Sequence, residues 1–384
     1  MPLLAYHFPH RNSALGMMMT LSPYSKLPDT AFWRTGVAEI DAPIDPNIYT
    51  PKWAIDPAIQ IATAGSCFAQ HIGSHLSAAG FDILDVEPAP RDLPAPLHMK
   101  FGYGIYSGRY GNIYTVRQML QLAQEALGDS NRRDYLWRKG DRWFDGLRPT
   151  IEPDGLSSPK AVTYHRDWHL SQVGKMLTSM DLLIFTFGLT EAWIDKETGT
   201  VFPVCPGTVT DNFDPRKHVF HNFDYAEIYD DFIELMALLA KHRPVGKKPL
   251  KYMLTVSPVP LTATAADKHV QVATVYSKSV LRSVAGTLAD RFPEVDYFPS
   301  YEIITSPWSG RHFYSANERS VTAEGVACAM STFMSSHSSA AITSEQAPTL
   351  RSRPRDEPET LEEDLEMLVA CDEELLDAFG RSKT

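Results

Sequence analysis

Ser66 is the residue on which chemistry is expected to turn. It lies in Ile59-Gln60-Ile61-Ala62-Thr63-Ala64-Gly65-Ser66-Cys67-Phe68-Ala69, which reads as a short buried strand closed by a sharp Gly-Ser turn. A helix pattern follows at once, with Phe68, Ile72, His75, Leu76 and Ala79 at three- and four-residue spacing. A serine at a strand-to-helix turn stands at the sheet edge with its hydroxyl presented. The next backbone N–H groups then point toward whatever that hydroxyl attacks. This is the geometry of an activated nucleophile. The bland reading of the same residues is a small-residue turn in which Ser66 caps the helix. Cys67 offers a rival nucleophile, since a thiolate needs less activation. Its bland reading is a small apolar residue packed under the turn.

Further blocks extend the pattern. Phe101-Gly102-Tyr103-Gly104-Ile105-Tyr106 runs into Tyr110-Gly111-Asn112-Ile113-Tyr114-Thr115. Asp145-Gly146-Leu147-Arg148-Pro149 and Phe185-Thr186-Phe187-Gly188-Leu189-Thr190-Glu191-Ala192-Trp193 come next. Leu254-Thr255-Val256-Ser257-Pro258-Val259 and Tyr297-Phe298-Pro299-Ser300-Tyr301-Glu302 complete the set. Gly65-Ser66-Cys67-Phe68-Ala69 is, letter for letter, the motif that names the GSCFA family, and the other blocks resemble that family in order. The resemblance spans roughly residues 55–335.

GSCFA domains look like relatives of the SGNH hydrolases, which are serine esterases and acyltransferases. The resemblance implies a three-layer, flavodoxin-like parallel sheet with helices on both faces, and an acyl-serine on Ser66. The oxyanion hole would use the backbone N–H of Ser66 or Cys67, Gly188, and a side-chain amide. SGNH enzymes carry that amide in a Gly-x-Asn-Asp pattern. Here the order is Gly188-Leu189-Thr190-Glu191, so Asn112 is the candidate replacement, with Thr190 behind it. Asn112 reads equally well as an ordinary turn residue. The Asp-x-x-His pair of SGNH enzymes is also missing, because Asn317 and Ser320 stand in its place. Among the 13 histidines, His269 (with Asp267 close in sequence) and His312 are the candidate bases. Glu191 and Glu302 are further candidates, as an orienting acid or a carboxylate base. Each carboxylate reads alternatively as half of a salt bridge.

Asp145 and Arg148 fall on a Gly-containing loop, where an arginine suits a carboxylate, phosphate or sugar acid. Glu191 joins them as a substrate-binding candidate. Tyr103, Tyr106, Tyr110 and Trp193 suit stacking on sugar rings, or are plain core aromatics. His165 and His169 have i, i+4 spacing, but no third ligand or zincin pattern accompanies them. They read as surface or capping histidines, and no metal or cofactor is expected.

The elements that must position these groups alternate. Strands are expected near residues 59–65, Phe81–Val86, Asp181–Phe187, Lys251–Val256 and Val295–Phe298. Helices are expected at Val116–Leu127, His165–Ser179, Tyr225–Lys241 and Val270–Phe292. This alternation predicts a doubly wound α/β sheet, and ligands then gather at the carboxyl ends of the strands. Residues 1–55 read as an N-terminal arm and 56–335 as the main domain, with an insertion at about 131–163 forming a small hairpin and long loop. The Ser-, Pro- and Arg-rich stretch 336–358 reads as a disordered linker. An acidic amphipathic helix in 359–384 closes the chain, docking on its own domain or on a partner.

The bulk numbers bound the reading. At 384 residues the chain can bury a large core, and its net charge of -11 argues against general nucleic-acid binding. Cys67, Cys205, Cys328 and Cys371 are widely spaced and read as reduced thiols. No apolar run reaches spanning length. With no secretory pattern visible, a cytoplasmic setting is expected, and Met17-Met18-Met19 is an alternative start. The expected function is ester hydrolysis or O-acyl transfer on an acylated carbohydrate or small ester. A non-catalytic descendant that binds a glycan or nucleotide-sugar is the alternative. A scaffold that recruits a partner through the last helix is a third reading.

Overall fold

The parallel sheet that the alternation predicts is present in the computed structural model, which describes residues 22–40, 42, 44–307, 312–337 and 372–380. The described residues form two compact units. The smaller takes residues up to Ile48 together with Pro307 and His312, and the larger takes the rest. Within the smaller unit, residues 22–40 form short helical turns at Pro23–Lys26, Asp29–Ala31 and Arg34–Ala38.

The larger unit is built on four parallel strands: β1 (Ile61–Gly65), β4 (Leu182–Phe187), β8 (Lys251–Val256) and β9 (Val295–Tyr297), in the order β1-β4-β8-β9. β1 and β4 are buried along their whole length. Near-continuous apolar runs are what a parallel sheet covered on both faces requires. The second expected strand is not formed. Of Phe81–Val86, only Ile83 bridges Ile61, on the free edge of β1. The Leu84 amide still donates to the Ile61 carbonyl at 2.8 Å, but that of Val86 turns to the Ser107 carbonyl in a loop. Counting that bridge, the order is the 2-1-3-4-5 order of flavodoxin-like sheets.

Seven helices are described: α1 (Phe68–Ala78), α2 (Val116–Ala126), α3 (Pro159–Ser179), α4 (Tyr225–Lys241), α5 (Val270–Arg291), α6 (Ser300–Thr305) and α7 (Ala323–His337). α1, α6 and α7 pack together against β1, β4 and β8. α2, α3, α4 and α5 form the other layer. The result is a three-layer α/β fold. The helix starts are written locally. Thr115 accepts the Gln118 amide, Ser158 accepts the Ala161 amide before Pro159, and Asp224 and Glu227 close a capping box. The Ser158-Pro159 cap starts α3 about a turn and a half before the expected His165.

Two smaller sheets flank the main one. The hairpin of β2 (Leu136–Lys139) and β3 (Arg142–Asp145) lies in the expected insertion. β5 (Glu191–Asp195), β6 (Val201–Phe202) and β7 (His218–Asn222) form an unanticipated antiparallel sheet. It departs from β4 after Gly188. Of the expected C-terminal helix, Asp372–Phe379 is a 3-10 helix. The expected linker beyond His337, and the helix before Asp372, lie outside the described residues. Among the described residues, no helix is long and apolar enough to cross a membrane.

Candidate active site

The register of the sheet brings the site together. Gly65 pairs with Thr186, and Phe187 with Val256, so β1, β4 and β8 end side by side. Ser66, Gly188 and Ser257 therefore stand just beyond neighbouring strand ends. Gly65 turns the chain with φ 136°, and a Cβ there would fall 2.5 Å from the Thr186 carbonyl oxygen. Only glycine fits that close approach of β1 to β4.

Ser66 follows, with its N–H donating to the Thr186 carbonyl at 3.2 Å and its carbonyl accepting from Ala69 at 2.9 Å. Its side chain is 2% exposed. The residue that caps α1 is Cys67, whose side chain makes no capping hydrogen bond to the helix. Ser66 Oγ has no hydrogen-bond partner among the described residues. It is therefore not the helix-capping hydroxyl of the bland reading. Thr186 and Thr190, both fully buried, likewise carry hydroxyls with no partner among the described residues. Three such hydroxyls therefore lie on or just past the carboxyl ends of β1 and β4, each unsatisfied among the described residues.

Gly188 packs directly on the serine. A Cβ on Gly188 would meet Ser66 Cβ at 3.0 Å and the Tyr114 carbonyl at 3.1 Å. The Gly188 N–H already donates to the Tyr114 carbonyl at 3.1 Å. Its expected role as an oxyanion donor is thus taken up by the fold, as is that of the Ser66 N–H. The donors still expected at this corner are the Cys67 N–H and the side-chain amide of Asn112, because the Ala69 and Gln70 amides already donate to the Ser66 and Cys67 carbonyls.

Asn112 is buried and oriented. The neighbouring Ile113 N–H donates to the Gly65 carbonyl at 2.8 Å, which fixes the loop against the serine turn. Gln70 Nε2 donates to the Tyr106 hydroxyl at 3.2 Å, and that hydroxyl donates to Asn112 Oδ1 at 2.5 Å. The chain of donors assigns the amide: oxygen toward Tyr106, NH2 toward the cleft. Asn112 Nδ2 donates there to Asp372 Oδ2 at 2.9 Å. Tyr106 and Tyr110 are stacked and buried rather than presented to a sugar.

Lys278 was not singled out from the sequence. It is 1% exposed on α5, and its Nζ donates to the Gly188 carbonyl at 2.7 Å. Its surroundings in the helix pattern, Tyr276-Ser277-Lys278-Ser279, gave no sign of burial. It brings an ammonium group to the peptide that packs on Ser66. Ser277 beside it accepts the Thr190 N–H at 3.0 Å.

The proposed bases of the larger unit have other partners. His269 is exposed and caps α5, its Nδ1 accepting the Gln271 amide at 3.2 Å. His312 is exposed and belongs to the smaller unit. Glu302 pairs with Arg282 and accepts the Tyr297 hydroxyl at 2.7 Å. Asn317 and Ser320 close a turn on themselves. Asn317 Oδ1 accepts the Arg319 and Ser320 amides at 2.9 Å, and Nδ2 donates to Ser320 Oγ at 2.8 Å.

Arg148 and Asp145 face inward. Arg148 donates to Asp145 at 3.0 Å, to the Arg109 carbonyl at 3.1 Å and to the His165 carbonyl at 2.9 Å. Burial alone would raise the Asp145 carboxyl, but Arg166 and Arg148 beside it bring it below its usual value. The same cluster holds His169, which is fully buried with Nδ1 2.8 Å from Glu87. It is neither surface nor cap. Among the described residues no group of His, Cys, Asp and Glu could hold a metal ion.

Glu191 remains. It lines a cavity of about 220 Å³ with Tyr114, Leu189, Trp193, Phe202 and Leu261. Thr264 Oγ1 donates to its Oε1 at 2.7 Å. Burial raises its carboxyl above the ordinary value, while Thr264 and the Ala265 amide work against the rise. Tyr114 and Leu189, two of its lining residues, flank the Gly188 that packs on Ser66, and the walls are mainly apolar. That suits an acyl group entering beside a nucleophile.

Residues 60–333 match the sequence profile described as the GSCFA family. Comparison with curated proteins and with solved structures finds no match to this chain.

Proposed function

We propose that this chain, which belongs to the GSCFA family, is an SGNH-like serine esterase or O-acyltransferase that works through an acyl-serine on Ser66. The observation that carries this reading is the Ser66 hydroxyl, buried at a strand-to-helix turn and without a partner among the described residues. Oγ attacks the ester carbonyl, and the acyl group sits in the apolar cavity. The developing oxyanion takes the Asn112 amide and the Cys67 N–H at the start of α1. Glu191, whose carboxyl burial raises, accepts the serine proton directly or through one water, then returns it to the leaving alcohol. Water or a sugar hydroxyl completes the transfer. The carbohydrate part of the substrate rests on fold analogy. Among the described residues Cys67, Cys205 and Cys328 form no disulfide, which is compatible with the cytoplasm as the place of action.

A second reading is favoured by one specific observation: no imidazole pairs with Ser66 Oγ among the described residues. In that reading the same cleft binds a glycan or nucleotide-sugar without turnover. Labelling with a fluorophosphonate probe separates the two. The esterase reading expects a covalent adduct mapped to Ser66, absent in Ser66→Ala, and slowed about 100-fold in Glu191→Gln. Folded wild type and folded Asp372→Lys that both stay unlabelled would support the binding protein instead. Ligand-induced shifts in melting temperature with nucleotide-sugars would then check it.

A further inference from the structure

The chain's own C-terminus reaches into the cleft. Asp372 is 9% exposed, and its carboxylate lies on the NH2 of Asn112. That Asn112 amide cannot turn away, because Tyr106 holds its oxygen. One helical turn on, Leu376 joins Asp372 in lining the apolar cavity. Glu374 lies 3.9 Å from Arg319, in the turn that carries Asn317 and Ser320. The segment thus touches the oxyanion amide, the acyl cavity and the loop where a catalytic pair is missing.

Burying a carboxylate is costly unless hydrogen bonds meet it. A fixed amide donor that awaits an oxyanion is one such partner. Asp372 then stands where substrate oxygen would stand, and Leu376 where an acyl group would. Two acidic clusters, Glu362-Glu363-Asp364 and Asp372-Glu373-Glu374, mark this part of the sequence. A tether raises the local concentration of such a segment to about the millimolar range.

We propose that Asp372–Phe379 is a resident competitor of the substrate cleft, which stays closed until this segment is displaced. The proposal rests on the reading that this cleft is the substrate site. It also defines what the cleft prefers: a ligand with an oxygen anion for Asn112 and an aliphatic group one helical turn away.

The test uses the full chain and a fluorescein-labelled synthetic peptide of residues 366–384. The peptide is expected to bind Asp372→Lys/Leu376→Asp, as read by fluorescence anisotropy, and not wild type, whose own segment fills the cleft. A peptide carrying the Asp372→Lys change should bind about tenfold more weakly, the share of one charge-assisted hydrogen bond. Equal binding to wild type and variant, or none to the folded variant, overturns the proposal. Should the double variant fail to fold, wild type alone decides. Amides 373–379 protected from hydrogen exchange against the isolated peptide support residence, and exchange at the peptide's rate overturns it. Fluorophosphonate labelling is read in parallel and separates the two ideas. Faster labelling of the variant supports both. Peptide binding with no labelling in either protein upholds the competitor and removes the acyl-serine.

Discussion

Two glycines hold Ser66 in place, and each makes a prediction. Gly65→Ala puts a side chain at φ 136° and 2.5 Å from the Thr186 carbonyl. Gly188→Ala pushes a methyl against Ser66 Cβ and the Tyr114 carbonyl at 3.0 and 3.1 Å. Overpacking of this kind costs about 1–3 kcal/mol, and the Gly65 variant adds backbone strain of a similar size. Urea melts should order the proteins wild type, then Gly188→Ala, then Gly65→Ala. Gly188→Ala should also lose serine labelling while it remains folded. At Asn112 the expected loss is catalytic. Asn112→Ala should lower turnover of an aryl ester about 100-fold. Tyr106→Phe should lower it less, because it frees the amide to rotate without removing it. Equal rates in both variants and wild type would take Asn112 out of the oxyanion site.

At the level of elements, the insertion is anchored by buried charge. Arg148 ties the loop after β3 to α3 through the His165 carbonyl and sits 4.0 Å from Glu87. Removing it leaves Asp145 and Glu87 buried with less compensation, a loss of about 3–5 kcal/mol. Arg148→Ala should therefore lower the melting midpoint strongly and leave the KM of any folded fraction unchanged. A raised KM with an intact midpoint would return Arg148 to the substrate. The sheet, the Gly-Ser turn and the main helices were legible because their signals are local: apolar runs, 3.6-residue spacing and turn glycines. Phe81–Val86 misled because an apolar edge segment can leave the ladder after one bridge, as Val86 does by donating to Ser107. Ser158-Pro159 is a helix start that the apolar periodicity from His165 hid. Of the candidate site, the local turns were legible. Ser66 and Asn112 lie in short motifs that carry their own geometry. The closures around them join residues far apart in sequence: Lys278 with Gly188, Asp372 with Asn112, His169 with Glu87. No spacing rule reaches across such distances. The same limit misplaced His269, whose cap on α5 is a purely local bond.

For the molecule as a whole, three imidazoles set the response to acid: His169 and His337 are buried and His71 is half-buried. His169, His71 and His337 are each held down to about 4, chiefly by burial. Arg148 and Arg166 add to this at His169 against the pull of Glu87, His75 adds at His71, and Asp296 opposes it at His337. In the unfolded chain each would take a proton near pH 6.5. The folded state binds fewer protons than the unfolded state between those values, so stability rises with pH there. It is fully present above pH 6.5 and is lost as the pH falls toward 4. Each fully buried imidazole contributes at most about 1.4 kcal/mol per pH unit. Asp231, which burial raises to about 6 despite Arg117, works in the opposite sense below that pH and offsets part of one histidine. Urea melts at pH 7, 6 and 5 should therefore show falling stability for wild type. His169→Gln should fall less steeply, because one proton uptake is gone while the contact with Glu87 can be kept by the amide. If the wild-type midpoint stays level from pH 7 to 5, the three imidazoles are not held neutral by burial. If His169→Gln follows the wild-type slope, the pair with Glu87 carries a proton in the folded state, and the buried cluster around Arg148 holds one more positive charge than its geometry implies.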